Sequence, residues 1–290
     1  MPEFEAAGIA VFALSYDEAI ALEDFRAAHS ITFTLLSDPE SAVIRDFGIL
    51  NTLIDSSDHP WFGIPYPGAY VIDAEGTITH KFFDSNLAVR AGPEQLLRAV
   101  TGLAEEAIAI TSPTPTPITD DVQMNIAFDG NHLTPVVQRD LVVQLEIPAG
   151  KHVYAAPAPD GSVAVDVILD NNAALVARSL QRPKATPHTL SGSGEEFLVH
   201  QGSIELRLPL TMNAADDLNP LELSGEVCWQ SCDDEVCDLP VRERFLLTIP
   251  VAAAPAMALQ GPGAEIEPNA MSHFQYMTKR RKDSPPQSEQ

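Results

Sequence analysis

The chain has 290 residues, of which 45% are hydrophobic and 20% are charged. These values are typical of a soluble globular protein, and the length allows two ordinary domains. Its 17 basic residues stand against 41 acidic ones, which gives a formal net charge of −24. Such a charge repels nucleic acid and anionic membranes, so we expect neither as a partner. Because no apolar stretch approaches the ~20 residues that cross a bilayer, we expect no membrane span.

The N-terminus reads Met-Pro-Glu-Phe-Glu and runs directly into a strand-like segment. It lacks the positive start and the cleavage site of a signal peptide. As written, the chain is therefore expected in the cytoplasm, where a stable disulfide is unusual. A close pair of cysteines in that compartment is more often catalytic or metal-binding than structural.

Strand-like and helix-like segments alternate along the first 109 residues. Short apolar runs predict the strands, while helical periodicity and Pro or Gly at segment ends predict the helices. The predicted strands are residues 9–15, 33–36, 69–73 and 77–83, and the predicted helices are residues 17–28, 38–48 and 93–109. This order predicts an α/β domain over residues 1–109, in which helices cover a sheet.

A change of composition marks a second domain. Three prolines alternate with small polar residues in 110–118, which favours an extended linker. Helical periodicity then disappears, and short alternating segments between Pro, Gly and Asn clusters predict a β-sandwich over residues 119–251. Its clearest predicted strands are residues 122–128, 141–147, 163–169, 204–212 and 245–251. Residues 252–290 are rich first in Ala, Pro and Gly and then in polar residues, which predicts a disordered tail.

All three cysteines lie within one ten-residue stretch, Cys228, Cys232 and Cys237. Residues 233–236 form a predicted tight turn, so Cys232 and Cys237 should flank a hairpin-like loop with α-carbons under ~7 Å apart. A bridge across so short a loop adds little stability by chain closure. Redox exchange is therefore the leading interpretation, while a structural disulfide, idle thiols or a metal site stay open. The eight histidines are scattered along the chain, with none beside the cysteines, which disfavours a metal site.

The acidic loop and the neighbouring residues refine this interpretation. Asp233, Asp234 and Glu235 disfavour a thiolate beside them, which argues against fast attack on peroxide and favours exchange with a docked partner. Cys228 lies on the same side of an extended strand as Cys232 by parity, and its ordinary interpretation is a buried core thiol. Trp229 is expected near the end of that strand.

The first half resembles the redoxin branch of the thioredoxin fold, the alkyl hydroperoxide reductase/thiol-specific antioxidant (AhpC/TSA) family. The resembling segments are residues 8–15, 33–39, 47–48 and 66–73, followed by Gly76. The resemblance implies that Pro67 stands where thioredoxin-like members carry a cis-proline beside the active cysteine. Seen alone, Pro67 is an ordinary turn or strand-start proline.

The reactive cysteine of that family would precede residue 1 of this sequence. The resemblance also implies a strand between residues 9–15 and 69–73 that is missing here, which would leave backbone groups unpaired. A truncated or misassigned start is the first explanation, and a degenerate domain is the second. On the residues present, this domain has no thiol with which to reduce peroxide.

The second half resembles the N-terminal domain of the thiol:disulfide interchange protein DsbD, an immunoglobulin-like sandwich. The resembling residues are 204–213 and, above all, 229–240, where an aromatic-Gln pair precedes Cys232 and a proline follows Cys237. The resemblance implies that these two cysteines are the redox pair, with Cys237 meeting the partner and Cys232 as its bridge mate. Cys228 has no counterpart in the family.

These observations predict a thiol–disulfide redox protein of the peroxiredoxin/redoxin type that relays electrons through Cys232 and Cys237. The complete parent would be an oxidoreductase, either a thiol–disulfide oxidoreductase or a thiol peroxidase with antioxidant activity. Supporting positions are Pro67, Cys228 and Trp229. We expect no cofactor, no metal, and a partner protein that exchanges thiols and disulfides. An extracytoplasmic location fits if the true start lies upstream. The alternative is a non-enzymatic binding or scaffold protein with a degenerate redoxin domain and a structural disulfide.

Overall fold

Local sequence signals define the helices and strands of the first 88 residues. The computed structural model describes residues 1–54, 62–102, 108–109, 122–189, 194–213 and 219–253. The described residues fall into two compact units, one containing Met1–Ala88 and the other within Val89–Ala254. The elements of the first unit are α1 (Pro2–Ala6), β1 (Phe12–Ser15), α2 (Ala19–Ala28), β2 (Thr34–Ser37), α3 (Ala42–Asp46), β3 (Gly68–Ile72) and β4 (Ile78–Phe83).

The first unit contains two small sheets. Strands β1 and β2 pair in parallel and are joined by α2, whereas β3 and β4 form an antiparallel hairpin. Among the described residues, no strand joins the two sheets. The carboxylate of Asp38 accepts hydrogen bonds from the backbone N–H groups of Ala42 and Ile44, at 2.8 and 2.9 Å. These bonds satisfy free donors in the first turn of α3 and explain why that helix begins there.

The second unit begins with short elements that precede the sandwich. They are β5 (Arg90–Ala91), α4 (Pro93–Thr101) and β6 (Ile108–Ala109). The predicted helix over residues 93–109 is too long, because α4 ends at Thr101 and Ile108–Ala109 is a strand. Gly102 follows with φ of 67°, the left-handed conformation that ends many helices.

Helix α4 is tied to the second unit by charged side chains. The Arg98 guanidinium pairs with the carboxylates of Asp129 and Asp140, at 2.7 Å for Asp140. Gln95 donates a hydrogen bond to the same Asp140 carboxylate at 2.8 Å. The helix therefore packs with the β-rich unit, although it falls within the range predicted as the first domain. The domain boundaries stay a prediction.

Three sheets make up the rest of the second unit. The strands are β7 (Gln123–Phe128), β8 (Val137–Glu146), β9 (His152–Tyr154), β10 (Asp166–Leu169), β11 (Leu175–Ala177), β12 (Thr186–Thr189), β13 (Glu196–His200), β14 (Ser203–Met212), β15 (Leu221–Trp229), β16 (Ser231–Cys232) and β17 (Val241–Ile249). Their orders are β11-β14-β8-β7-β6, β10-β15-β17 and β12-β13-β9-β16, and β5 adds to β8. The predicted α/β first region and β-sandwich second region are confirmed.

Alternation along the strands builds the core of the sandwich. In β17, Phe245, Leu247 and Ile249 are buried while the residues between them face outward. In β8 and β14 alternate residues also enter the core, but each strand carries a run of five residues that are buried on both faces. The side chains meet in one cluster that includes Trp229 and Val153. The linker predicted at residues 110–118 lies outside the described residues, as do residues 254–290 of the predicted tail.

Candidate functional site

The cysteine loop connects the end of β16 to the start of β17. Cys232 and Cys237 form a disulfide with their α-carbons 4.0 Å apart, and the two residues also make an antiparallel bridge. This agrees with the predicted hairpin-like loop. The backbone N–H of Asp233 donates to the carbonyl oxygen of Val236 at 2.9 Å, and closes the turn.

The side chain of Asp233 organises the turn between the two cysteines. Its carboxylate accepts hydrogen bonds from the backbone N–H groups of Val236 and Glu235, at 2.7 and 2.8 Å. Both hydrogen bonds lower the pKa of Asp233, and the one from Val236 has the larger effect. Aspartate favours such turns because its short side chain can replace a backbone acceptor. Asp233, one of the acidic residues of the loop, therefore stabilises the turn between the two cysteines.

Gln230 fastens the loop from inside the fold. Its side chain is buried, its Nε2 donates to the carbonyl oxygen of Asp238 at 3.0 Å, and its Oε1 accepts from the Val163 N–H at 3.0 Å. The sequence identified Gln230 only as part of a motif. Its burial is visible only in the structure, and it explains the two hydrogen bonds, because a buried amide is nearly always hydrogen-bonded.

The two bridged cysteines differ sharply in exposure. Cys232 is 1% exposed and packs with Tyr154 and Val199. Cys237 is exposed, and the apolar side chains of Val236 and Leu239 are exposed on either side of it. The Tyr154 hydroxyl lies 3.5 Å from the Cys237 sulfur. Cys237 thus lies at the surface of the unit, and Cys232 is enclosed.

The enclosed sulfur lies on a sheet face that carries two histidines. In β16, Cys232 stands opposite His152 of β9, and directly opposite residues point to the same face. His152 is 2% exposed. Its ring centroid lies 4.4 Å from that of His188, which comes from β12 of the same sheet. Tyr154, two residues beyond His152, shares this face, and the two rings are 5.8 Å apart.

Burial and charge act on His152 in opposite directions. Burial lowers its pKa from the ordinary value and the neighbouring His188 lowers it further, while the carboxylates of Asp234 and Asp233 raise it. The net shift is downward. His188 also places its Nε2 at 3.4 Å from an Asp234 carboxylate oxygen. Sequence reasoning missed both histidines, because each lies far along the chain from the cysteines.

Cys228 and Trp229 belong to a different sheet from Cys232. Both lie in β15, Cys228 opposite Asp166 and Arg242 in the neighbouring strands. Cys228 is 4% exposed, has a free thiol, and lies 3.8 Å from the backbone oxygen of Asp166. Burial, followed by the charge of Asp166, raises the pKa of this thiol. The side chain of Trp229 packs in the main core.

Pro67 lies in the first unit, immediately before β3. Among the described residues, the cis peptide bond is Ala156–Pro157, so the Tyr66–Pro67 bond is trans. The cis interpretation of Pro67 is therefore wrong. The trans form is the favoured state of most bonds that precede proline, and here Tyr66 donates its backbone N–H to the carbonyl oxygen of Ile49 at 2.6 Å.

The described residues contain neither a cluster suited to a metal ion nor a helix that could span a membrane. None of the described clusters of His, Cys, Asp and Glu brings three or more groups into an arrangement that could hold a metal ion. Within the same residues, every helix is too short or too polar to cross a membrane.

Two protein families match separate parts of the chain. Residues 1–81 match the AhpC/TSA family, and residues 126–249 match the family described as thiol:disulfide interchange protein DsbD, N-terminal. The first match coincides with the α/β unit. The second spans the sandwich from β7 to β17 and includes the cysteine loop.

Curated relatives resemble the first region. Peroxiredoxin Bcp of Escherichia coli K12 is 33% identical over 88 residues, which covers 29% of this chain and 53% of the relative. A putative peroxiredoxin of Coxiella burnetii is 31% identical over 81 residues, covering 27% and 50%. The chain thus spans about half the length of the curated relatives it matches.

Solved structures resemble the second region. The N-terminal domain of Neisseria meningitidis DsbD, in its reduced form, shares 16% identity over 37% of this chain and 75% of its own, with a TM-score of 0.28. The N-terminal periplasmic domain of ScsB from Proteus mirabilis shares 14% identity over 49% and 52%, with a TM-score of 0.35. The chain thus joins a thioredoxin-like region that matches the AhpC/TSA family to an immunoglobulin-like sandwich that matches the DsbD N-terminal family.

Proposed function

We propose that this chain exchanges electrons with a partner protein through Cys232 and Cys237. The observation that carries the proposal is the contrast between Cys237, which is an exposed residue, and Cys232, which is 1% exposed. A partner's thiolate would therefore attack at Cys237, and Cys232 would be the leaving group. Both family matches support a thiol–disulfide redox role.

The exchange would proceed through a mixed disulfide. A partner thiolate attacks the Cys237 sulfur, the Cys232–Cys237 bond breaks, and Cys232 leaves with the electron pair. A second partner thiolate then attacks the partner's own sulfur in the mixed disulfide and releases Cys237. The partner dithiol is oxidised to a disulfide and the chain is reduced to a dithiol, and the reverse sequence reduces a partner. The Tyr154 hydroxyl, 3.5 Å from the Cys237 sulfur, would stabilise the Cys237 thiolate by donating a hydrogen bond.

The surface around Cys237 supports partner docking over attack on a free small oxidant. Val236 and Leu239 are exposed apolar side chains beside the reactive sulfur, and Asp234 and Glu235 add exposed acidic groups. A docked partner with an apolar centre and basic surroundings would bury the former and pair with the latter. Such docking confines exchange to one class of partner protein.

The proposal also includes the order of the domains along the chain, with the redoxin-like region first. We propose a redoxin domain at residues 1–109, a linker at 110–118, the DsbD-like sandwich at 119–251 and a tail at 252–290. Residues 1–227 contain no cysteine, so within this sequence the pair in the sandwich carries the redox chemistry. A whole protein of the thiol peroxidase or thiol–disulfide oxidoreductase type would supply a further reactive thiol.

Single-cysteine variants test the proposal, each made with Cys228→Ala to remove the third thiol. Reduced Cys232→Ser keeps the exposed sulfur and should form a stable mixed disulfide with oxidised glutathione, seen as a glutathione adduct by intact mass. Reduced Cys237→Ser keeps only the enclosed sulfur and should form little adduct. Adducts of equal yield and rate in the two variants would contradict the proposed order of attack.

A redox titration tests whether the pair cycles at all. The protein with both cysteines, equilibrated in glutathione or dithiothreitol buffers of known potential, should pass reversibly between dithiol and disulfide. A pair that resists reduction under mild conditions, or that never oxidises, would refute the relay. That result would favour the alternative, a binding or scaffold protein with a structural disulfide.

A further inference from the structure

The enclosed sulfur poses a chemical problem that the two-cysteine scheme does not solve. When the dithiol reduces a partner, Cys232 must lose its proton before it can attack the mixed disulfide on Cys237, because the thiolate is the nucleophile. Cys232 is 1% exposed, so water does not readily take that proton. A neighbouring group has to accept it.

We propose that His152 is the general base that accepts the Cys232 proton, and that His188 and Asp234 tune it for this task. The inference rests on the proposed function and adds a residue role to it. His152 stands directly opposite Cys232 in the β9–β16 pair. The Cβ atoms of such opposite residues lie about 4.5 to 5.5 Å apart on one face, which brings an imidazole beside the sulfur.

Several charged or titratable groups lie near His152 besides the sulfur. The His188 ring of β12 lies 4.4 Å from it between centroids, tilted by 38°, and the loop between the cysteines supplies Asp233 and Asp234. Tyr154 lies on its own strand at 5.8 Å between centroids. The adjacent Lys151 pairs with Asp238 at 2.8 Å.

These neighbours suit a base that works near neutral pH. Burial and His188 lower the pKa of His152, which keeps the ring neutral and able to accept a proton. The carboxylates of Asp234 and Asp233 then stabilise the imidazolium that forms. This combination resembles the arrangement in which a carboxylate supports a histidine base beside a nucleophile.

The resolving step forms the Cys232–Cys237 bond and breaks the bond between Cys237 and the partner. Cys232 transfers its proton to a His152 ring nitrogen, and its thiolate attacks the Cys237 sulfur of the mixed disulfide. The bond between Cys237 and the partner breaks, and the partner sulfur leaves with the electron pair. The partner thiolate takes up a proton from the imidazolium or from water. Two thiols of the chain are oxidised to a disulfide, and the partner disulfide is reduced.

Two-phase kinetics separate this step from the one before it. The reduced protein with Cys228→Ala is mixed with dithiodipyridine, a neutral aromatic disulfide that releases a coloured thione. Attack by Cys237 releases the first equivalent, and attack by Cys232 on the resulting mixed disulfide releases the second. His152→Gln should slow the second phase at least about ten-fold near neutral pH and leave the first phase unchanged.

His200 offers a matched control in the same sheet. It is buried at 3% exposure and its pKa is also lowered by burial, with Arg182 adding to the shift. His200 stands opposite Val153, the neighbour of His152, so it points to the other face. His200→Gln should therefore leave both phases at their original rates. Equal slowing by both variants would refute a specific role for His152.

The pH profile of the second phase provides a measurement that does not depend on removing His152. The rate should rise with pH as His152 loses its proton, below the ordinary histidine value of about 6.5. His188→Gln removes a group that lowers the pKa of His152 and should move the midpoint up. Asp234→Asn removes one that raises it and should move the midpoint down. Shifts in the wrong directions, or none, would overturn the inference.

The outcomes also separate this inference from the proposed function. If the protein with both cysteines released one equivalent alone, the pair would not cycle, and both proposals would fail. If it released two equivalents and His152→Gln did so at the same rates, the relay would stand and the role of His152 would fall.

Discussion

The Gln230 amide donates a hydrogen bond to the backbone carbonyl oxygen of Asp238 at 3.0 Å, and so ties the end of β15 to the residue that follows Cys237. The same side chain accepts a hydrogen bond from Val163. The loop is thus held in place by a buried side chain as well as by the disulfide. Three further features of the fold lead to measurable consequences.

Gln230→Ala should make the disulfide easier to reduce. Loss of the clamp lets the two sulfurs separate in the dithiol, which lowers their effective concentration and moves the midpoint potential to less negative values. The fold should lose about 1 to 2 kcal/mol of unfolding free energy, because Asp238 and Val163 lose their partner. A titration in redox buffers measures the potential, and denaturant unfolding measures the stability.

Gln144→Ala serves as the control for that change. The Gln144 side chain bonds to Asn125 and Glu205, each at 3.3 Å, in a sheet that does not contain Cys232. This variant should leave the midpoint potential where it was. If both variants shifted the potential alike, the effect would reflect general loosening, and the specific clamp would be refuted.

Cys228 should react slowly with alkylating agents in the folded protein. Its thiol is buried, and burial raises its pKa, so little thiolate is present and little of it is accessible. Iodoacetamide should label it rapidly only after denaturation, as followed by intact mass. Cys228→Ala should leave the redox potential of the Cys232–Cys237 pair unchanged. Rapid native labelling, or a shifted potential, would argue that Cys228 takes part in exchange.

Arg98→Ala should destabilise the second unit by about 2 kcal/mol, because it leaves two buried carboxylates short of a partner. Asp140 is 1% exposed, and among the described residues it keeps Gln95 and the more distant Arg207, at 3.5 Å. Denaturant unfolding measures the loss. Arg244→Ala, which breaks an exposed pair with Asp170 in the same unit, should change stability little. Comparable losses in the two variants would contradict this assignment.

The unfolding free energy should fall as pH drops below about 6.5, the ordinary histidine pKa. Burial lowers the pKa of both His152 and His200 in the folded state, so the unfolded chain binds more protons in the window just below that value. Stability therefore rises with pH there. Denaturant unfolding at several pH values should show a shallower slope for the double variant His152→Gln/His200→Gln. An identical slope would exclude these histidines as its source.

Local sequence patterns predicted much of the fold, because strands and turns depend strongly on residues that are adjacent in the chain. The alternation in residues 245–251 predicted a strand that the structure places at Val241–Ile249. The turn residues between Cys232 and Cys237 predicted a closed loop, and the disulfide is present. The pattern predicted too long an element where a single residue ends it. The predicted helix covered residues 93–109, whereas α4 ends at Thr101, before Gly102.

The sequence alone determined the composition of the cysteine loop, its acidic character and the family that each half resembles, because these are properties of adjacent residues. Only the tertiary structure decided which sulfur is exposed and which groups stand beside the buried one. Strand pairing sets Cys232 opposite His152, which lies 80 positions earlier, and sheet order then brings His188 onto the same face. Such contacts depend on register across strands, and no local pattern encodes a register between distant segments.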